Sequence, residues 1–285
     1  MILYGCLVGS LDFDMKNDCL KATLSVTLTK LVTALFIYAN MYSAYGDDSI
    51  KVHEKLPSEI IDLTFWKITL PRAKKEGENA EEVKFPNMKK FSHKQYFYVD
   101  TSDKDPAVVF RAPCGGATTK NSKYPRCELR EMTTRGKVRA SWQTSGEELH
   151  VLIMRAAITH TPVVKKHVVC AQIHDSKNDL IMIRLEGKHL FIERNPYDDV
   201  SMDRDYKLGS PFDLKIQAGE GKIKVWYNGE QKMNWEKSAN NCYFKAGCYT
   251  QSNPQRKDKP ESYGEVKIYQ LAVNHSKNHT KIDSK

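Results

Sequence analysis

Short segments rich in β-branched and aromatic residues alternate with turn-forming residues along most of the chain beyond residue 50. Such segments are typical of strands, and long segments with the 3.6-residue period of a helix are missing. Only Pro57–Leu63 resembles a short helix. Many strands, close turns and few helices predict an all-β fold, an antiparallel sandwich or jelly roll. The predicted strands are Phe65–Leu70, Val108–Arg111, Cys127–Thr133, Glu148–Ile158, His167–Asp175, Leu180–Leu185, His189–Glu193, Phe212–Ala218, Lys222–Tyr227, Tyr243–Gln251 and Tyr263–Val273.

Three dipeptides predict tight turns between neighbouring strands. Asn228-Gly229 separates KIKVWY from EQKMNW, and a type I′ hairpin turn needs two residues that tolerate positive φ. Glu186-Gly187 and Glu220-Gly221 predict two more turns. Because no linker, repeat or composition break interrupts residues 50–285, we expect one domain there.

The first 46 residues are typical of a secretory leader. The apolar run Leu31–Ala39 is shorter than the roughly 18 residues that a membrane-spanning helix needs. Lysines precede this run, and Ala44-Tyr45-Gly46 offers small residues for cleavage. We therefore expect a signal peptide at 1–46, a secreted extracellular domain at 47–285 and no membrane association after cleavage. Translation from Met15, or an ordinary buried helix in place of the leader, are the alternatives.

The net charge indicates the class of binding partner, and the cysteines and sequons bear on whether the protein is secreted. Lys and Arg number 44 against 35 Asp and Glu, a net charge of +9 that suits a polyanion such as nucleic acid, a membrane surface or an acidic polysaccharide. Removing Cys6 and Cys19 with the leader leaves five of the seven cysteines, so at least one thiol stays free. Secretion permits disulfides, and Cys114 with Cys127 is a reasonable pair. Asn274 and Asn278 begin glycosylation sequons.

Three predicted strands carry unusual polar faces. Alternate side chains of a strand point to opposite faces, so residues i, i+2 and i+4 lie together. Each pattern alone is more often a charge ladder or a solvated face. If the three strands share one concave sheet, their polar faces form a basic, aromatic groove that suits an acidic sugar chain. The residues concerned are Arg126, Glu128 and Arg130, then Gln172 and His174, and then Tyr243, Lys245, Gly247, Tyr249 and Gln251.

The same segments resemble the signature motifs of the alginate lyases of polysaccharide lyase family 7. They read YPRCELRE at Tyr124–Glu131, QIH at Gln172–His174 and YFKAGCYTQ at Tyr243–Gln251. FWKITLP at Phe65–Pro71 and GEVKIY at Gly264–Tyr269 are similar to that family's first and last core segments. The resemblance implies a β jelly roll whose concave sheet cleaves alginate by β-elimination, with no metal and no other cofactor. The family more often has Ser or Thr where this chain has Cys127, which faces away from the groove by alternation.

The resemblance also implies roles for the catalytic positions. Alginate carries a C5 carboxylate on each sugar, and removing the C5 proton requires stabilisation of the enolate-like anion. Arg126, Gln172 and His174 are expected to donate to that carboxylate. In mannuronate the C5 proton and the leaving oxygen lie on the same side, so Tyr249 alone could remove and return one proton. In guluronate they lie on opposite sides, which suits His174 as base and Tyr249 as acid.

The remaining groove residues are expected to bind substrate or to position the catalytic groups. A tyrosine titrates near pH 10 in water, so a basic role for Tyr249 needs cationic neighbours, for which Lys245, Arg126 and Arg130 are the candidates. Glu128 is expected to orient the guanidinium groups. The resemblance of QIH to the variant that accompanies acceptance of guluronate suggests the same preference here. Arg130, Lys245, Gln251 and Tyr243 are expected to hold neighbouring sugars.

Other functions remain open at this point. A non-catalytic jelly roll that binds acidic polysaccharide would use the same groove, and a lyase for another polyuronate would use the same chemistry. A nucleic-acid partner is not expected, because no zinc-finger, RNP or helix-turn-helix pattern occurs. We expect a monomer without a metal site. His275 with His279, and four aspartates in a predicted loop, are better explained as solvated side chains; those aspartates are Asp198, Asp199, Asp203 and Asp205.

Overall fold

The computed structural model describes residues 55–277, and within them the chain forms sixteen β-strands, three short 3₁₀ helices and no α-helix. The 3₁₀ helices are Pro57–Glu59, Asn87–Lys90 and Pro254–Arg256. The strands are β1 (Trp66–Ala73), β2 (Ala80–Lys84), β3 (Phe97–Asp100), β4 (Ala107–Pro113), β5 (Arg126–Thr133), β6 (Val138–Arg139), β7 (Glu148–His160), β8 (His167–His174), β9 (Asp179–Glu186), β10 (His189–Arg194), β11 (Tyr197–Asp203), β12 (Phe212–Gly219), β13 (Lys222–Tyr227), β14 (Glu230–Glu236), β15 (Tyr243–Thr250) and β16 (Tyr263–Lys277).

The strands form two antiparallel sheets. A nine-stranded sheet has the order β11-β10-β9-β8-β15-β5-β1-β2, with β6 paired to β5 outside this path. A seven-stranded sheet has the order β14-β13-β12-β7-β16-β4-β3. One continuous hydrophobic core lies between them and includes Phe244 and Leu129 of the larger sheet with Phe110 and Leu152 of the smaller. The predicted all-β antiparallel sandwich is confirmed.

Strict alternation along β5 separates the core from a polar surface. Cys127 and Leu129 are fully buried in the core. Arg126 and Arg130 are half-buried on the opposite side of the strand. We call that side of the nine-stranded sheet, which is turned away from the seven-stranded sheet, the polar face. It carries the residues that the sequence motifs predict to lie together.

The predicted hairpin turns are present. Asn228 and Gly229 have φ of 48° and 82°, and they join β13 to β14 as a type I′ turn requires. Glu220 and Gly221, at 54° and 74°, join β12 to β13 in the same way. At the third site the two-residue loop between β9 and β10 begins one residue later than predicted, at Gly187.

Several sequence predictions need correction. The loop predicted to hold Asp198, Asp199 and Asp203 is β11, an edge strand whose charged side chains obscured the period-2 signal. Charges on an edge strand discourage pairing with another sheet, which explains why such a strand carries few apolar residues. The short helix at Pro57–Leu63 is reduced to one 3₁₀ turn. The strands β2, β3 and β6 were missed, because each is short and lies at or near an edge.

The predicted pairing of Cys114 with Cys127 is wrong, because the structure gives all five cysteines among the described residues as free, buried thiols. Cys127 points into the core and its Sγ contacts the carbonyl oxygen of Tyr96 at 3.1 Å. Cys114 follows β4 in the other sheet, where burial raises its pKa to about 11. The two side chains therefore have different neighbours although they are close in sequence.

Some predictions fall on residues outside 55–277. The leader at 1–46, the sequon at Asn278 and the second histidine of the suggested pair, His279, all lie outside the described residues. Asn274 lies exposed on β16, where its glycosylation stays a prediction. None of the described residues forms a helix of the length and apolarity that crossing a membrane requires.

Gly247 allows β15 to bring Tyr249 into place. The pairing of β15 with β8 shifts register between Ala246 and Tyr249, and Gly247 has φ of +134°. A Cβ atom there would lie 2.7 Å from the carbonyl oxygen of Cys127 and 2.9 Å from Cδ1 of Phe110. The sequence predicted that Gly247 lies on the polar face, but this bulge turns the position towards the core.

We expect Gly247→Ala to lower the free energy of unfolding by about 2–4 kcal/mol, since overpacking adds to the cost of positive φ. Denaturant unfolding measures the loss. Gly229→Ala is the matched control, because Gly229 also has positive φ but has no atom within 4 Å of an added Cβ. Its expected loss is about 1 kcal/mol. Equal losses in the two variants would contradict close packing as the reason for the glycine.

Candidate active site

Strand order brings the three predicted motifs side by side. β15 lies between β5 and β8, so its polar residues face one motif on each side. Tyr249 pairs with Arg126 of β5, and Lys245 pairs with Arg130 on one side and Gln172 on the other. Apart from Gly247, which the bulge turns towards the core, the predicted groove residues on these three strands therefore form one continuous surface.

Glu128 lies at the centre of this surface and is 2% exposed. Its carboxylate accepts a hydrogen bond of 2.8 Å from Arg126 Nη1, and further hydrogen bonds from Lys245 Nζ and Gln172 Nε2. Burial alone would raise the pKa of Glu128, but Lys245 and Arg126 more than offset it, so the pKa lies below its ordinary value. Glu128 is therefore ionised and holds three neighbours beneath the surface rather than contacting sugar directly.

Lys245 is more buried than its predicted role as a sugar ligand suggests. It is 8% exposed, and its ammonium group is directed at Glu128. Burial, reinforced by the charge of Arg126 and opposed by Glu128, lowers the pKa of Lys245 to about 8. Gln251, immediately after β15, is also 8% exposed. Lys245 therefore lies at the base of the polar face, and neither side chain is exposed as a sugar ligand would be.

The Tyr249 side chain is partly exposed and lies against a cation. The guanidinium carbon of Arg126 lies 3.7 Å from the centroid of the Tyr249 ring, and Lys245 Nζ lies 5.9 Å from it. These are two of the three cationic neighbours that the sequence suggested; the third, Arg130, stacks on Tyr243 instead. The ring of Tyr124 lies 6.4 Å from that of Tyr249, and Ser122 Oγ lies 3.1 Å from the Tyr249 hydroxyl.

Sequence reasoning missed Ser122, because a single serine in the loop between β4 and β5 carries no recognisable pattern. It also missed Arg139 of β6. Burial lowers the pKa of Arg130, and the charge of the nearby Arg139 adds to that effect. Arg130 stacks on the Tyr243 ring at 3.7 Å. The basic surface thus continues along β5 beyond the motif residues.

His174 is held in one tautomer by the backbone. Its Nδ1 lies 2.7 Å from the carbonyl oxygen of Asp175, and a carbonyl oxygen only accepts, so Nδ1 carries the proton. Burial lowers the pKa of His174. The neutral ring therefore has an unprotonated Nε2, which suits a base rather than the carboxylate donor that the sequence also suggested. The Tyr243 ring stacks against it at 5.4 Å.

The described residues contain no group of three or more His, Cys, Asp or Glu side chains arranged to hold a metal ion. The suggested metal ligand His275 instead contacts His150 and Glu131, each at 2.7 Å. At the centre of the polar face one carboxylate, Glu128, pairs with both Arg126 and Lys245, so this cluster keeps an excess of positive charge.

Comparison with known proteins decides the family. The family model described as alginate lyase matches residues 61–275, which include all three motifs. The chain is 53% identical to AlgAT5, a solved alginate lyase from polysaccharide lyase family 7, with a TM-score of 0.73 over 78% of this chain and 99% of that one. The chain belongs to the alginate lyases of polysaccharide lyase family 7. It is an enzyme that acts on alginate, and its two sheets form the jelly roll of that family.

Two further solved structures resemble this lyase. An alginate lyase from Corynebacterium sp. is 40% identical, with a TM-score of 0.73 over 78% of this chain and 99% of that one. A variant of the family 7 alginate lyase A1-II′, solved in complex with the substrate GGMG, is 27% identical. Its TM-score is 0.65 over 79% of this chain and 98% of that one.

Proposed function

We propose that this lyase cleaves alginate within the chain by β-elimination, without a metal ion, and accepts chains that contain guluronate. The products are oligosaccharides with a 4,5-unsaturated uronate at the new non-reducing end. The observation that carries the proposal is the arrangement of Tyr249 with its ring against the Arg126 guanidinium, on the same sheet face as a neutral His174.

The electrons and the proton balance without a further reactant. The base takes the C5 proton, and the electrons of the C5–H bond form the C4=C5 double bond. The C4–O bond breaks, and its electron pair leaves with the oxygen, which receives a proton from the acid. Arg126 is permanently charged and its planar fork matches a carboxylate, so it stabilises the anion that develops during proton removal.

Tyr249 and His174 divide these tasks according to the sugar. On mannuronate the proton and leaving oxygen are on one side, so the Tyr249 oxygen removes the C5 proton and returns it to the departing oxygen. On guluronate they are on opposite sides, so Nε2 of His174 removes the C5 proton and Tyr249 donates a proton to the departing oxygen. The unprotonated Nε2, which results from the bond of Nδ1 to the Asp175 carbonyl, supports this basic role.

Three observations support the finer claims. Basic or aromatic groups extend to both sides of Tyr249, with Arg130 and Arg139 in one direction, and Tyr124, bonded to Arg256 Nε at 3.1 Å, in the other. Binding groups on both sides of the reacting bond favour cleavage inside a chain. The complex of the A1-II′ variant with GGMG supports acceptance of such a sequence here. In the role proposed for it, Arg126 supplies the positive charge that a metal ion would otherwise provide, which supports metal independence.

The purified protein is expected to raise the ultraviolet absorbance of unsaturated uronate on alginate, polymannuronate and polyguluronate alike, at the same rate with and without a chelator. Because internal cleavage shortens long chains early, viscosity is expected to fall faster than absorbance rises. Loss of activity in the chelator, restored by a divalent cation, would contradict metal independence. Release of monomers or dimers from the start, with little change in viscosity, would contradict internal cleavage.

A further inference from the structure

We infer that Ser122 is a positioning residue for Tyr249, whose hydroxyl it supplies with a hydrogen bond that stabilises the phenolate form. Ser122 lies in the loop between β4 and β5, outside the three motifs. This inference rests on the proposed role of Tyr249 in proton transfer. It adds that cleavage of mannuronate needs the Ser122 hydroxyl much more than cleavage of guluronate does.

The direction of the bond follows from counting partners. A serine hydroxyl has one proton to donate and two lone pairs that accept. The backbone N–H of Tyr124 donates to Ser122 Oγ at 3.1 Å, and Arg126 Nη2 donates to it at 3.2 Å, which occupies both lone pairs. The single proton of Ser122 is therefore directed at its two remaining neighbours. These are the carbonyl oxygen of Tyr124 at 3.0 Å and the hydroxyl oxygen of Tyr249 at 3.1 Å.

Because both lone pairs of Ser122 Oγ are occupied, the Tyr249 hydroxyl can only accept at this contact, from a Ser122 proton shared with the Tyr124 carbonyl oxygen, and it keeps its own proton for the substrate. Within residues 55–277, Ser122 is the one hydrogen-bond partner of the Tyr249 hydroxyl. When Tyr249 has lost its proton, the Ser122 proton can swing from the Tyr124 carbonyl fully onto the phenolate oxygen. A hydrogen bond to a charged oxygen is stronger than one to a neutral oxygen, so the contact favours the phenolate.

The charged and titratable groups around Tyr249 come from each element that packs against it. β5 supplies Arg126, and Lys245 lies on β15 itself. Glu128 lies beneath both cations. The loop supplies Tyr124. On β8 the residue paired with Tyr249 is apolar, namely Val169, so that strand adds no charge at this point.

The two sugars depend on Ser122 to different extents. On mannuronate Tyr249 must first be a phenolate in order to remove the C5 proton. On guluronate Tyr249 acts from its neutral form as the acid, while His174 is the base. Loss of the Ser122 hydroxyl is therefore expected to impair cleavage of polymannuronate much more than cleavage of polyguluronate.

The test compares Ser122→Ala with Ser122→Thr, which keeps a hydroxyl, and with Ser141→Ala, a control whose hydroxyl bonds Asn241 instead. For each variant of the full chain, kcat/KM is measured on polymannuronate and polyguluronate across pH. For Ser122→Ala we expect kcat/KM on polymannuronate to fall by about 10–100-fold near neutral pH. The acid limb of its pH–rate profile should move upward by about one to two pH units. On polyguluronate the change should stay within about threefold, and Ser122→Thr should recover most of the loss.

Three outcomes would overturn the inference. These are an unchanged ratio of the two activities in Ser122→Ala, an equal loss on both polymers without a shift of the acid limb, and no recovery in Ser122→Thr. The equal loss would mean that Ser122 only shapes the loop through its two bonds to Tyr124. Tyr249→Phe separates this failure from failure of the proposed function, because a Tyr249→Phe enzyme that remains active would refute the proton-transfer role itself.

Discussion

Tyr249→Phe is expected to lower kcat on both polymannuronate and polyguluronate by about 10²–10⁴-fold, the range typical of a lost general acid or base. The phenyl ring can still lie under the Arg126 guanidinium, which is 3.7 Å from the ring centroid in the wild type. Substrate binding should therefore change little, and the loss should appear in kcat rather than in KM. Initial rates of absorbance increase over a range of polymer concentrations measure both.

Tyr98→Phe is the matched control for this variant. Tyr98 lies on β3 of the other sheet, where its hydroxyl accepts a hydrogen bond of 3.2 Å from Arg111 Nη2. Removing that phenol should leave the activity on both polymers unchanged. If Tyr249→Phe kept full activity, or lost activity only through a higher KM, Tyr249 would be a binding residue and another group would transfer the proton.

Glu128→Gln is expected to lower the free energy of unfolding by about 3–5 kcal/mol, the usual cost of removing one partner from a buried ionic cluster. The buried cations Arg126 and Lys245 both lose their counter-charge. The new amide N–H₂ group would also face donors, since the carboxylate now accepts from Gln172 as well. Denaturant unfolding of the variant and the wild type measures the difference, and activity should fall because Arg126 is no longer held in place.

The pH dependence of this difference gives an independent check. The pKa of Glu128 in the folded protein lies below its ordinary value of 4.5, because Lys245 and Arg126 outweigh the effect of burial. Its contribution is therefore fully present above pH 4.5 and is lost as the pH falls through the lowered value. The gap between wild type and Glu128→Gln should narrow in acid.

Asp213→Asn serves as the control, because Asp213 forms an exposed ion pair with Arg155 at 3.2 Å. The expected cost of losing that pair is at most about 1 kcal/mol. If Glu128→Gln cost no more than Asp213→Asn, the buried cluster would not be the structural centre of the site.

Local chain properties explain why much of the fold was predictable. The alternation of Cys127 and Leu129 with Arg126, Glu128 and Arg130 requires only the two-residue period of a strand. The Asn228-Gly229 turn requires only residues that tolerate positive φ, which both adopt. β11 was not predicted because most of its residues are exposed at the edge of the sheet. Its aspartates occupy positions where a buried strand would show the alternating apolar residues on which the prediction depends.

Contacts between distant segments explain what was not predictable. The bulge at Gly247 is explained by the closeness of Cys127 and Phe110, one on each sheet. The free thiols of Cys114 and Cys127 follow from their separate surroundings in the two layers. The burial of Lys245 beneath the polar face depends on Glu128 from another strand. No local pattern carries this information.

By itself the sequence determined most of the strands, the hairpin turns, the alternation that gathers polar residues on one face, and the motifs that identify the family. These properties depend on residues a few positions apart. Only the tertiary structure decided that Glu128 joins Arg126, Lys245 and Gln172, that His174 is held by the backbone, and that Ser122 meets Tyr249. The physical reason is that hydrogen bonds act over about 3 Å, so which groups form them depends on the register of strands far apart in the chain.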